Sequence, residues 1–120
     1  MTKVLVVEDS RFNMELVLDI LDNMGFKADG AIDGAEAIKN AENEVYDLVL
    51  MDIELPGMDG TAIQKILKKK LKYKNVPIIA LTAYAMKGDK ERFLAAGFDD
   101  YIPKPIDIVD FKKRLEKYRK

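Results

Sequence analysis

Four short apolar runs in this chain each lead into residues that can handle a phosphoryl group or a divalent metal ion. Residues 4–7 lead into Glu8 and Asp9, residues 48–51 into Asp52, residues 78–81 into Thr82, and residues 101–102 into Lys104. If these runs are neighbouring parallel strands, their carboxyl ends collect three carboxylates, one hydroxyl and one ammonium at the sheet edge where open α/β folds bind ligands. The sequence therefore predicts one polar site built from dispersed residues.

The charges of this set balance if a divalent cation joins it. Glu8, Asp9 and Asp52 would place three negative charges in a small space, where they repel one another. Since the chain contains no histidine and no cysteine, the hard ion Mg²⁺ is the natural candidate, with Mn²⁺ as the alternative. Together with Lys104 this ion would make the site neutral. An acyl phosphate formed on Asp52 would then leave one excess negative charge for a hydroxyl and backbone amides to stabilise.

Each member of the set has an ordinary explanation when it is taken alone. An aspartate after a strand is often a turn or cap residue, a threonine is a common strand residue, and a lysine between two prolines is often a surface loop residue. The prediction of a site therefore depends on the joint placement of the residues and not on any one of them.

Five strand–helix units are predicted to position these residues. The second strand, over residues 27–31, contains Asp29 and Gly30 and is therefore expected at a sheet edge. Asp33 and Glu36 form a capping pair that opens the second helix. The fourth helix is predicted over residues 89–96 and ends at Gly97. In the other helices the positions expected to face inward follow from one-face spacing and are Val17, Ile20, Leu21 and Met24; Ala37, Ile38 and Ala41; Ile63, Ile66 and Leu67; and Ile108, Phe111, Leu115 and Tyr118. This alternation predicts an α/β fold with one parallel sheet covered by helices on both faces.

The composition narrows the classes of function. Without cysteine or histidine, the chain lacks a disulfide framework and the commonest general base, so its chemistry must use carboxylates, hydroxyls, lysines and hard cations. The net charge of -1 creates no general attraction to nucleic acid, and the apolar runs are too short to span a bilayer. We therefore expect a cytoplasmic single domain over residues 1–120, with no output domain and with neither nucleic acid nor membrane as a partner.

A basic stretch without interleaved acids follows the start of the third helix, and its lysines are Lys65, Lys68, Lys69, Lys70, Lys72 and Lys74. We interpret this stretch as a solvated helix face, because no nucleic-acid recognition motif accompanies it.

Four motifs between residues 4 and 106 resemble those of a known family, and the resemblance covers essentially the whole chain. They are VLVVEDS over residues 4–10, DLVLMDIELPGMDG over 47–60, PIIALTAYA over 77–85 and AAGFDDYIPKPI over 95–106. In their order and spacing they resemble the receiver domains of two-component response regulators, the CheY-like superfamily. Asn13 and the motif TAYAMKGD resemble, more closely, receivers of hybrid kinases, phosphorelays and single-domain regulators of the DivK type. The resemblance implies a flavodoxin-like, doubly wound sheet with strand order 2-1-3-4-5 and five helices.

The resemblance also implies roles for the site residues. Asp52 would be the phosphoacceptor, and Asp9, Asp52 and the Glu54 carbonyl would hold Mg²⁺, with Glu8 supporting the ion through water. Lys104 would contact the phosphoryl oxygens, and its peptide bond to Pro105 would be cis.

A conformational switch is implied at two further positions. Thr82 would move to the phosphoryl group, which the backbone at Ile53 and Ala83 would also contact. Tyr101 would then turn inward and change the surface formed by the fourth helix, fifth strand and fifth helix, where a downstream protein would bind.

The phosphodonor implied by the family is a phosphohistidine on a histidine kinase or a phosphotransfer protein, and the chain would act as a monomer. The residues expected to ring the acceptor and dock the donor are Phe12, Asn13, Leu16, Pro105 and Ile106. Glu54 and Tyr84 stand where the family tunes hydrolysis of the acyl phosphate, and we expect them to hinder water and give a lifetime of minutes or longer.

Three alternatives stay open at this point. Asp52-Ile53-Glu54 loosely resembles the opening motif of haloacid dehalogenase-type phosphatases, but the second acid should be aspartate and the nucleophile strand should come first. A flavin-binding module of similar topology would need a hydroxyl-rich phosphate loop after the first strand. A pseudo-receiver that only docks a partner is the third. We favour a phosphoacceptor module that catalyses only its own phosphoryl transfer and slow dephosphorylation.

Overall fold

A single five-stranded parallel sheet organises the computed structural model of this chain, which describes residues 2–55, 57, 60–83 and 88–119. The strands are β1 (Lys3–Val7), β2 (Lys27–Ala31), β3 (Leu48–Asp52), β4 (Ile78–Thr82) and β5 (Asp100–Pro103). The helices are α1 (Arg11–Asn23), α2 (Gly34–Asn43), α3 (Gly60–Lys68), α4 (Asp89–Ala95) and α5 (Ile108–Leu115), with 3₁₀ turns at Leu71–Tyr73 and Glu116–Tyr118. The strand order is β2-β1-β3-β4-β5, which confirms the predicted fold.

The central strands are apolar on both faces because helices cover both sides of the sheet. Alternate strand residues belong to two separate clusters of buried side chains. The α2–α4 cluster contains Leu5, Val7, Val49, Met51, Ile78 and Ala80 with residues of α2, α3 and α4. The α1/α5 cluster contains Val4, Val6, Leu48, Leu50, Ile79 and Leu81 with residues of α1 and α5. The sheet therefore separates two cores, and its continuous apolar strands reflect burial on both sides.

Side-chain caps fix where three of the helices begin. Ser10 Oγ accepts a hydrogen bond from the Asn13 amide at 3.3 Å, which starts α1 directly after the acidic pair. Asp33 Oδ1 accepts from the Glu36 amide at 2.8 Å, so the predicted capping pair is confirmed at α2. Asp107 caps α5 in the same way. Each cap satisfies an amide that the first turn of a helix leaves without an internal partner.

Two isoleucines expected to face inward are exposed. Ile66 is 37% exposed and Ile108 is 48% exposed. In α3 the buried position beside Ile63 and Leu67 belongs to Gln64, whose Nε2 donates to the Gly97 carbonyl at 2.8 Å. In α5 the buried residues are Phe111 and Leu115, and Ile108 lies in the first turn, before the stretch of the helix that covers the sheet. A polar side chain with a backbone partner thus replaces an apolar one at the core face of α3.

The basic stretch is only partly a solvated face. Lys68 Nζ donates to the Val76 carbonyl at 2.6 Å, and Lys72 Nζ donates to the Glu42 carbonyl at 2.9 Å. The buried Tyr73 hydroxyl lies 2.9 Å from the Ala41 carbonyl and 2.8 Å from the Glu44 carbonyl. Lys72 and Tyr73 therefore serve carbonyls that the end of α2 leaves free, whereas Lys68 serves the carbonyl that precedes Pro77. Part of this stretch thus caps a neighbouring helix. None of the helices in the described part of the chain has the length and apolar character that a bilayer crossing requires.

Candidate functional site

The carboxyl ends of four strands meet at one edge of the sheet, as the sequence predicts. Asp52 is the last residue of β3 and Thr82 the last residue of β4. Asp52 pairs in register with Leu81, and Thr82 pairs with Pro103. The Lys104 amide continues this ladder by donating to the Thr82 carbonyl at 2.8 Å. The parallel register therefore carries the acidic, hydroxyl and ammonium groups to the same place.

Lys104 lies between two buried carboxylates. Its Nζ is 2.7 Å from Glu8 Oε1 and 3.1 Å from Asp52 Oδ2. Glu8 is 1% exposed and Asp52 is 2% exposed. Burial lowers the pKa of Lys104, but its bonds with Glu8 and Asp52 outweigh burial and raise that pKa above its ordinary value. The ammonium is therefore a fixed positive charge in the centre of the site. The sequence predicted that Lys104 lies at this edge of the sheet and contacts phosphoryl oxygens, but it did not predict the direct ion pair with Glu8.

The two buried carboxyl groups differ in their affinity for a proton. Burial, and then the neighbouring Asp52, raise the pKa of Glu8 to about 7. Burial acts in the same direction on Asp52, but hydrogen bonds with Glu8, the Glu54 amide and Lys104 outweigh it and lower the pKa of Asp52 below its ordinary value. The Glu54 amide donates to Asp52 Oδ1 at 2.9 Å. A proton that binds this pair as the pH falls through about 7 therefore resides on Glu8, and Asp52 remains a carboxylate.

The acidic residues form a set that fits a hard divalent cation. One carboxylate oxygen from each of Glu8, Asp9 and Asp52 lies within 4.8 Å of the other two. Asp9 is exposed, so an ion could enter from solvent. Glu8 Oε2 accepts from the Ser10 amide at 3.1 Å, whereas the buried Oε1 has its ion pair with Lys104 but no well-aligned hydrogen bond. Three carboxylates this close together match the preference of Mg²⁺ for hard oxygen ligands.

Thr82 is fully buried, and its hydroxyl donates to Glu54 Oε1 at 3.4 Å. The side chain of Glu54 thus faces Thr82 from the segment that follows Asp52. The Ile53 amide, expected to face a phosphoryl group, donates instead to the Leu81 carbonyl at 3.1 Å, because Ile53 still continues the β3–β4 ladder. In this structure the amide directed at the Asp52 carboxylate is that of Glu54. Ala83 follows Thr82 and is exposed.

Gly60 places the start of α3 against the end of β3. Its amide donates to the Ile53 carbonyl at 3.1 Å. A Cβ atom on Gly60 would lie 2.6 Å from the Asp52 carbonyl oxygen and 2.9 Å from the Ile53 Cα. Only glycine permits this approach. Nothing in the spacing of Gly60 in the sequence indicates that it lies against the backbone of Asp52.

Tyr101 lies half-buried on β5 and packs against the α2–α4 cluster. Its ring centroid is 6.5 Å from that of Phe93 in α4. The Arg114 guanidinium of α5 lies 5.1 Å from the centroid of the Tyr101 ring. Arg114 was missed from the sequence, because its spacing from Asp110 indicates a pair within the helix and does not reveal the aromatic ring beyond it.

The residues proposed for donor docking lie on the loops and helix that flank the site. Phe12 and Pro105 are exposed, and Leu16 and Ile106 pack partly against the α1/α5 cluster. Asn13 is partly exposed in the first turn of α1. The Lys104–Pro105 peptide bond is cis, as expected. Tyr84, which we expect to affect the lifetime of an acyl phosphate, lies outside the described residues.

Comparison with known proteins gives consistent matches. The family model described as the response regulator receiver domain matches residues 4–116. The polar-differentiation response regulator DivK of Brucella ovis is 40% identical over 119 residues, which are 98% of this chain and 97% of DivK. Hybrid signal transduction histidine kinase G of Dictyostelium discoideum is also 40% identical over 119 residues, which are 97% of this chain but 4% of that kinase.

A solved structure extends the comparison to the site. The receiver domain of a sensor histidine kinase from Pseudomonas aeruginosa, which has a magnesium ion coordinated in its active-site cleft, superposes with a TM-score of 0.87 at 35% identity. The match covers 98% of this chain and 96% of that domain. These similarities do not favour the phosphatase alternative.

Proposed function

This chain belongs to the response regulator receiver domain family, and from that premise we propose that it accepts a phosphoryl group from a phosphohistidine onto Asp52. The observation that carries this proposal is the state of Asp52, a buried carboxylate that stays ionised because Lys104 and the Glu54 amide bind it. An ionised, desolvated carboxylate at the exit of a strand is suited to attack a phosphorus atom.

The transfer is a displacement at phosphorus. A carboxylate oxygen of Asp52 forms the new P–O bond as the P–N bond of the phosphohistidine breaks, and the electron pair of that bond stays with the departing imidazole. Lys104, fixed by Glu8 and Asp52, is positioned to neutralise charge on the phosphoryl oxygens. Mg²⁺, when bound by Glu8, Asp9, Asp52 and the Glu54 carbonyl, would supply the remaining positive charge. Slow hydrolysis of the acyl phosphate would reset the site.

The readout that we propose begins at Thr82. Its hydroxyl leaves Glu54 and donates to a phosphoryl oxygen, because the bond to Glu54 is long, at 3.4 Å, and phosphoryl oxygens accept short charge-assisted hydrogen bonds. Backbone amides of Ile53 and Ala83 would assist if the segment after Asp52 rearranges. Tyr101 then turns inward and alters the surface of α4, β5 and α5, which changes the affinity for a protein partner.

We place this activity in a phosphorelay or two-component system, with a histidine kinase or histidine phosphotransfer protein as the donor. The donor would dock on Phe12, Asn13, Leu16, Pro105 and Ile106. The chain would work in the cytoplasm as a monomer, and its own phosphoryl transfer and dephosphorylation would be its only catalysis.

Incubation with acetyl phosphate and Mg²⁺, followed by intact mass measurement, tests the assignment. We expect the wild-type chain to gain one phosphoryl group and Asp52→Asn to gain none. Asp19→Asn, at an exposed position of α1, is the matched control and should behave as the wild type does. An adduct of equal yield on the wild type and Asp52→Asn would refute the role of Asp52. Continuous release of phosphate without a stable adduct would indicate a phosphatase.

A further inference from the structure

Arg114 connects α5 to Tyr101 around the free edge of the sheet. Its Nη1 donates to the Tyr101 carbonyl at 3.0 Å, and its Nε donates to Asp110 Oδ2 at 2.8 Å. β5 is the last strand of the sheet, so this carbonyl has no neighbouring strand beyond it in the sheet. The guanidinium also lies 5.1 Å from the Tyr101 ring centroid, within the range of a cation–π contact.

The contact joins two opposite faces of the sheet. α5 packs on the α1/α5 cluster, to which Ile102 belongs, whereas Tyr101 packs against the α2–α4 cluster. Arg114 therefore reaches from the helix on one face to the aromatic ring on the other. Phe93 of α4 flanks the same ring at 6.5 Å. The ring is held between a residue of α4 and a residue of α5, which are the two helices of the proposed output surface.

Among the contacts of Arg114, those with the Tyr101 side chain, namely the cation–π contact and a side-chain hydrogen bond, depend on the orientation of that side chain. The bond to the Tyr101 carbonyl involves backbone, and the bond to Asp110 lies within α5. Both survive an inward rotation of the ring. The cation–π contact does not survive it, because the ring would leave the guanidinium. Arg114 therefore favours the orientation that Tyr101 has in this structure.

We propose that Arg114 is a positioning residue that holds Tyr101 in its resting orientation and so opposes phosphorylation of the site. This inference rests on the proposed function in so far as Tyr101 responds to phosphorylation. A contact that forms only in the resting state weakens the binding of any ligand that favours the switched state. That ligand in turn weakens the contact by the same factor. A partly exposed cation–π contact shifts such an equilibrium roughly fivefold. Lysine keeps the charge but not the planar group that lies over the ring.

Fluorine NMR of protein labelled with 3-fluorotyrosine tests this role, with the Tyr101 resonance assigned by Tyr101→Phe. The variants are Arg114→Lys, which keeps the charge and protects the fold, and Arg114→Gln. Lys117→Gln is the control, because it removes the same charge from the following turn, where Lys117 pairs with Asp100 at 3.6 Å. Beryllofluoride with Mg²⁺, an acyl phosphate analogue, defines the spectrum of the switched state in the wild type.

In unliganded protein we expect both Arg114 variants to move the Tyr101 resonance toward its position in beryllofluoride-treated wild type, with a smaller solvent isotope shift. Half-conversion by beryllofluoride should need up to about fivefold less reagent. Lys117→Gln should leave both quantities unchanged.

An unchanged Tyr101 resonance in both Arg114 variants, or a larger solvent isotope shift, would overturn the positioning role. An equal effect of Lys117→Gln would also overturn it, because net charge and not the ring contact would then be responsible. If the wild type fails to respond to beryllofluoride and forms no adduct with acetyl phosphate, the proposed function fails instead. The unliganded spectra of the Arg114 variants still decide whether Arg114 fixes the ring.

Discussion

Replacing Lys104 by methionine should destabilise the metal-free protein, and the loss should depend on pH. The substitution removes the ammonium between Glu8 and Asp52 while keeping a similar side-chain volume. Two carboxyl groups that are 1% and 2% exposed would then face each other without a positive partner. Breaking a buried ion pair from one side is among the most damaging changes available to a protein.

The geometry sets the size of the effect. At an effective dielectric constant of about 20, charges 2.7 and 3.1 Å apart attract by roughly 6 and 5 kcal/mol before desolvation. Desolvation offsets most of this attraction, and removal of one partner of a buried pair costs about 3–5 kcal/mol. Glu8, with a pKa of about 7, takes up a proton at lower pH and loses its charge. We therefore expect a loss of about 3 kcal/mol at pH 8 and about 1–2 kcal/mol at pH 6.

Urea unfolding followed by circular dichroism in the presence of a chelator measures both losses. Lys112→Met, at an exposed position of α5, is the matched control and should change the free energy of unfolding by less than about 0.5 kcal/mol. The slope against urea should be the same in all variants, since the surface exposed on unfolding is the same. A loss for Lys104→Met that is equal at pH 6 and pH 8, or no larger than that of the control, would refute the buried charge arrangement.

Three further outcomes are expected. Tyr73→Phe removes the hydroxyl that serves the last carbonyls of α2 and should lower the free energy of unfolding by about 1–3 kcal/mol in urea; an unchanged midpoint would contradict this. Gly60→Ala should cost about 1–3 kcal/mol and slow phosphorylation by acetyl phosphate, because its Cβ meets the Asp52 carbonyl; a more stable variant would show that helix propensity outweighs this contact. The pKa of Glu8 is raised to about 7, so Glu8 is protonated below that pH and the proton competes with Mg²⁺. Calorimetry should therefore show Mg²⁺ binding roughly tenfold weaker at pH 6 than at pH 8, and the opposite trend would contradict the assigned ligands.

The sequence predicts the sheet well because the buried strands of this fold appear in it as continuous apolar runs. Strands buried on both faces must be apolar at every position, and β2, which is not, was correctly expected at an edge. The polar residue after each run then follows from the parallel arrangement. Asp52, Thr82 and Lys104 could be placed at one edge without knowledge of any side-chain conformation.

Side-chain partners could not be predicted in the same way. Gln64 occupies a core position because the Gly97 carbonyl lies opposite it. The spacing of apolar residues in the sequence gives no information about such a partner. The pairing of Lys104 with Glu8, and of Arg114 with Tyr101, likewise depends on where side chains from distant segments meet. The spacing of apolar residues and the composition constrain the course of the backbone. These side-chain contacts, in contrast, are determined only when distant segments pack together in the folded chain.

The division of the interior into two cores has a consequence for how this chain can change over evolution. α1, which contains Phe12, Asn13 and Leu16 of the proposed docking residues, packs on one side of the sheet, and α4, with the phenylalanine beside Tyr101, packs on the other. Substitutions separated by a sheet share few neighbours, so their effects on stability should add. A lineage could therefore exchange one proposed donor for another without altering the surroundings of the Tyr101 ring, which we propose responds on behalf of the downstream partner. Arg114 is an exception, since it contacts both sides and would have to be retained or replaced together with Tyr101.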